Sequence, residues 1–126
     1  MADTVSLDDF ADKLVATVRE YTAEVEVVVA DAVFLTAAET KVELGGTSPV
    51  GATGKYARGW RVKKIRGAGF TTAIIHNVQY PLVHLLEKGH ALRNGGRSRA
   101  FPHVFPAQAA AEVRLIERIT KATGGG

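Results

Sequence analysis

Residues 7–44 read LDDFADKLVATVREYTAEVEVVVADAVFLTAAETKVEL, and the reading of this stretch decides the fold. Apolar residues recur at Leu7, Ala11, Leu14, Val18, Tyr21, Val25, Val28, Ala32 and Leu35, in steps of four and three. That spacing is a heptad and draws one narrow apolar stripe along a helix. Ser6 stands where an N-cap would, and Asp8, Asp9 and Asp12 occupy the first turn, where the helix dipole favours negative charge. Gly45 and Gly46 supply a stop. The spacing predicts one helix over 7–44, about 57 Å long at the usual helical rise. Such a helix outreaches a domain of this size and needs a partner. Leu14, Val18, Tyr21, Val25, Val28 and Leu35 are therefore candidate subunit-interface residues. Glu24 to Val29 (EVEVVV) would also suit a strand, but the heptad runs unbroken through it.

Downstream, residues 45–56 (GGTSPVGATGKY) are a loop by composition. Residues 57–77 predict an antiparallel β-hairpin. In its first strand Trp60 and Val62 alternate with Arg61 and Lys63; Gly67-Ala68-Gly69 makes the turn, and FTTAIIHN (70–77) is the second strand. Residues 80–88 predict a short helix with Pro81 at its first position and Gly89 after its end; Leu82, Leu85 and Leu86 form its buried side. Residues 91–98 are a basic, Gly-rich loop, expected to be mobile. Residues 99–104 predict a short edge strand around Pro102. Residues 106–122 predict a C-terminal helix with Ala109, Val113 and Ile116 on one stripe and Leu115 and Ile119 beside it. Residues 123–126 form a frayed tail. The fold class is α+β, a long N-terminal helix and short helices on a small antiparallel sheet, in a single domain of 126 residues.

The net charge of +3 conceals an asymmetry. Residues 1–43 carry 10 acidic and 3 basic side chains, whereas residues 44–126 carry 3 acidic and 13 basic. This division points to charge-complementary contacts, between copies or with a polyanion. Lys55, Arg58, Arg61, Lys63, Lys64 and Arg66 lie close together around Tyr56 and Trp60, and Arg93, Arg97 and Arg99 follow. Such a surface can neutralise DNA phosphates without reading sequence, or dock an acidic protein face.

Catalytic signatures are missing. The absence of cysteine removes disulfides, thiolate zinc sites and cysteine nucleophiles, and suits a reducing cytoplasm. The loop before Lys55 is not a phosphate-binding loop: Pro49 stands where the first glycine is required, and Tyr56 where the magnesium-binding hydroxyl is required. Thr72 replaces the third glycine of a dinucleotide fingerprint begun at Gly67. His76, His84, His90 and His103 lack the spacing of a metal site. No catalytic, cofactor or metal-binding residue is assigned. No apolar run is long enough to span a bilayer, and Met1-Ala2-Asp3-Thr4 lacks the basic start of a signal peptide.

Three stretches in order resemble the tail-completion, or head–tail joining, proteins of long-tailed bacteriophages. They are Ser48-Pro49-Val50 through Thr53-Gly54-Lys55 into Arg58-Gly59-Trp60; Asn77, Tyr80 and Glu87-Lys88-Gly89; and Arg99-Ala100-Phe101-Pro102 leading to Pro106-Ala107. The longer Gly/Arg loop at 91–98 departs from the pattern. The resemblance implies a non-enzymatic structural protein of the virion neck or tail, made in the host cytoplasm. It also implies a homo-oligomeric ring, often hexameric, that joins connector to tail tube around the DNA channel, with no membrane partner. A connector adaptor or stopper is the neighbouring assignment. A stand-alone nucleic-acid-binding protein and a small RNA-cleaving toxin are the readings outside the virion.

Overall fold

A computed structural model describes residues 4–124. The chain runs β1 (Thr4–Phe10), β2 (Lys13–Arg19), a 3-10 turn (Ala23–Val25), α1 (Glu26–Thr47), α2 (Lys55–Arg58), β3 (Trp60–Gly67), β4 (Phe70–Asn77), α3 (Pro81–Lys88) and α4 (Val104–Ala122). The strands form one antiparallel sheet in the order β1-β2-β4-β3. The class is α+β, as expected, but the long helix is not N-terminal.

The helix predicted over 7–44 divides in two. Its first half is the β1–β2 hairpin, turning at Ala11-Asp12. Inward positions alternate there, Leu7 on β1, then Leu14, Ala16 and Val18 on β2, all buried; Thr17, on the other face, is buried too. A step of four, such as Leu14 to Val18, is even, so it satisfies a strand as well as a helix. Ala16 and the β-branched run Val15, Thr17, Val18 belong to the strand period. The second half is helical from Glu26, so the segment that most suited a strand, EVEVVV, begins the helix. Gly45 and Gly46 do not stop α1. It ends where Ser48, held extended ahead of Pro49, donates both its N–H and its hydroxyl to the carbonyl of Leu44.

The β3–β4 hairpin spans Trp60 to Asn77, with Arg61 and Lys63 on the face opposite Trp60 and Val62; Ala57 and Arg58, expected in its first strand, belong to α2 instead. Residues 99–104 form no strand; Val104 already opens α4. Pro102 cannot donate to a ladder, and the carboxylate of Glu87 takes the N–H groups of His103, Val104 and Phe105 at 2.7, 2.8 and 2.9 Å. On α4 the buried series is Val104, Ala107, Ala111, Leu115 and Ile119, whereas Val113 and Ile116 are exposed. On α3 Val83 is the buried residue, not Leu82, Leu85 or Leu86. In each helix the apolar residues outnumber the positions that face the core, and tertiary contact selects among them.

α1 and α4 lie side by side across one face of the sheet, and the core draws on every strand and helix. Arg118 joins the two helices, donating to both carboxylate oxygens of Glu39 at 2.6 and 2.7 Å and to the Thr36 hydroxyl. Of the tail expected at 123–126, Thr123 and Gly124 are described; Gly125 and Gly126, like Met1 to Asp3, lie outside the described residues.

Candidate interaction surfaces

The basic cluster is built on one edge of the sheet. α2 presents Lys55 and Arg58, both exposed, immediately before β3. β3 is the edge strand and carries Arg61, Lys63, Lys64 and Arg66, all exposed. Alternation sends Arg61 and Lys63 to the sheet face away from the helices and Lys64 and Arg66 to the helical face. There the Lys64 ammonium sits over the Phe34 ring at 5.1 Å, and Arg66 pairs with Glu26 at 3.3 Å. The Arg61 guanidinium donates to the carbonyls of Arg58 and Trp60. Lys63 makes no ion pair among the described residues.

Arg93 and Arg97 stand elsewhere, on the loop between α3 and α4. That loop has hydrogen bonds of its own: Ala91 bridges Arg97, Leu92 N–H donates to Gly96 and Gly95 N–H to Leu92. The Arg99 guanidinium lies over the Phe101 ring at 5.3 Å. No hydrogen bond or ion pair joins this loop to the β3 cluster among the described residues.

The candidate interface residues scatter. Leu14, Val18 and Tyr21 lie in the chain's own core, and the Tyr21 hydroxyl bonds the Thr71 hydroxyl at 2.6 Å. Val25 and Val28 are half-buried, while Leu35 is 51 % exposed. With Leu35, Val27 and Val42, which the heptad reading did not mark, form an exposed apolar row along α1. Their spacing, multiples of about two helical turns, places them on one side.

The polar residues that converge are structural. His103 is buried; its Nδ1–H faces the Phe101 carbonyl at 2.6 Å and the Glu87 carboxylate at 3.0 Å. Its Nε2 then accepts from the Tyr56 hydroxyl at 2.7 Å. Burial, with the Glu87 carboxylate nearby, pushes the Tyr56 phenol well above its ordinary pKa, which keeps it a donor. Trp60 packs edge-on against both rings and donates to Ser48 at 2.9 Å; Asn77 donates to the Tyr56 carbonyl at 2.8 Å. Sequence offers no signal for this node, because the contacts that His103 makes with Glu87 and Tyr56 span 16 and 47 residues.

A cleft beside α3 is lined by Asp9, Phe10, Ala11, Val83, His84, Glu87, Lys88 and Val104. Burial, and then the Glu87 charge, raises the Asp9 carboxyl. Glu87 is committed to the start of α4, so the two carboxylates do not form an acid–base pair free to act. Among the described residues there is no metal-binding group of His, Cys, Asp or Glu, and no helix is long and apolar enough to cross a membrane.

The family match falls on part of this sheet with its two covering helices and oppositely charged edges. Residues 12–89, from the β1–β2 turn to the glycine after α3, match the HK97-gp10-like family model, described as "Bacteriophage HK97-gp10, putative tail-component". The chain belongs to this HK97-gp10-like family. The match covers β2, α1, the β3–β4 hairpin and α3; β1 and α4 complete the sheet and its helical cover from outside it. No curated protein and no solved structure gives a significant match to this HK97-gp10-like chain.

Proposed function

We propose that the chain is a non-enzymatic subunit of a ring at the head–tail junction, at the head-proximal end of the tail. There it joins the connector to the tail tube around the DNA channel. The observation that carries the reading is the family match over residues 12–89, to a phage tail component. The work of such a protein is mechanical: it offers surfaces to copies of itself and to the rings above and below. The exposed row Val27, Leu35 and Val42 and the basic edge from Lys55 to Arg66 are two such surfaces. Arg93, Arg97 and Arg99 stand at a third position and touch DNA or a flanking ring. Contact with DNA is non-specific, through phosphates, and weakens as salt rises.

Negative-stain imaging of the purified protein across concentration and salt tests the reading. Annular particles with a central hole wide enough for a DNA duplex are expected. Compact monomers that cleave RNA, or that bind DNA tightly without assembling, would overturn it.

A further inference from the structure

We propose that neighbouring copies join edge to edge, β3 of one against β1 of the next, so that the four-stranded sheets continue into one another. The inference rests on the ring reading above and adds the contact that builds the ring.

The sheet has two free edges, β1 and β3. Among the described residues, no backbone hydrogen bond outside the sheet engages either of them. The edges are opposite in charge. β1 carries Asp8 and Asp9 and no basic residue; β3 carries Arg61, Lys63, Lys64 and Arg66 and no acid. Charged side chains on an edge ordinarily guard it against pairing. Here the guard is selective. It opposes β3 on β3 and β1 on β1, the two-fold contacts, and leaves β1 on β3 attractive. A contact between unlike edges is heterologous and propagates around a ring.

Strand polarity and hydrogen-bond phase agree with that pairing. Three antiparallel steps separate β1 from β3, so a copy placed alongside without flipping sets its β1 antiparallel to β3, as in the rest of the sheet. The Leu7 carbonyl accepts from the Gln108 side chain at 3.1 Å and so points off the edge, with a second lone pair to spare. Outward backbone groups alternate along a strand. On β1 they belong to Val5, Leu7 and Asp9. Carried through the three registers, the same alternation turns Val62, Lys64 and Arg66 outward on β3. Registers that pair these two sets keep the helix-free faces continuous, whereas a slip by one residue would not. The register with full overlap of β1 sets Asp8 opposite Lys63, a cation with no ion pair among the described residues of its own chain, and Phe10 opposite Arg61.

Disulfide trapping tests the pairing, since the chain has no cysteine of its own. Asp8 and Lys63 are exposed, and within one chain three strand spacings, about 14 Å, separate their strands. That is beyond disulfide reach, so a D8C/K63C bond can form only between copies. Oxidised D8C/K63C is expected to give a ladder of multimers on a non-reducing gel, ending in a closed species, while D8C or K63C alone gives nothing above dimer. D8K and K63E are each expected to weaken association several-fold, and D8K/K63E to restore it. Annular particles in which D8C/K63C stays uncrosslinked would overturn the edge pairing and leave the ring reading standing. A ladder without annuli would support the pairing and overturn the ring. Absence of both annuli and crosslinks would overturn both.

Discussion

Tyr56 and His103 show at residue scale how a buried polar pair fixes the local architecture. Replacing Tyr56 by Phe leaves the His103 Nε2 without its partner in a buried site and is expected to cost about 1–3 kcal/mol in a denaturant titration. The Tyr56 phenol has its folded pKa raised, so its share of stability is intact below its ordinary value of 10.0 and lost as pH rises through the folded value. Denaturation followed into alkali should show a loss of stability that is smaller in Y56F. Gly89, at φ 73°, sits so that an added Cβ would meet the Ser98 carbonyl oxygen at 2.6 Å. G89A is expected to destabilise by more than about 1 kcal/mol, read as a lowered thermal midpoint. The glycine after α3 was legible in the sequence as a helix stop. Its close approach to the 98–100 backbone was not, because nothing local announces a contact nine residues away.

Elements were legible where the period had one meaning. The β3–β4 hairpin and α3 follow from turn glycines, Pro81 and the alternation from Trp60 to Lys63. Residues 7–21 had two meanings, since inward strand positions an even number apart can also fall on a helical stripe. The β2 alternation Leu14, Ala16, Val18 was the competing signal, and pairing with β4 decided in its favour. The start of α4 shows a different failure: its cap is Glu87, from another helix. E87A should remove a cap and a charge favourable to the helix dipole and cost about 1–2 kcal/mol, read by denaturation. Between α1 and α4, the Arg118 hydrogen bonds hold the Glu39 carboxyl below its ordinary pKa of 4.5. Its contribution is present above that value and lost as pH falls through the lower folded one. The site is solvent-accessible, so the loss should stay within about 1 kcal/mol. Acid titration of E39Q beside the parent should show it as the difference between the two curves.

For the whole molecule, the charge asymmetry in the sequence has a spatial counterpart that the linear count did not contain. The acidic half contributes β1 and the basic half contributes β3, and the chain order places them at opposite edges of one sheet. The basic residues from Lys55 to Arg66 were identified from sequence as a group because they are contiguous. Of the apolar row on α1, Leu35 was identified from the heptad, whereas Val27 and Val42 were not, because the heptad frame drew attention to Leu14, Val18 and Tyr21, which the core absorbs. Oppositely charged edges on one sheet suit the head-to-tail repeat proposed above. The measurement that tests this most directly is the native mass of the assembled protein. The account predicts one dominant species at a fixed integer multiple of the chain mass, unchanged as concentration rises further, as a closed ring requires. A monomer at every concentration, or a distribution that keeps growing with concentration, would contradict it.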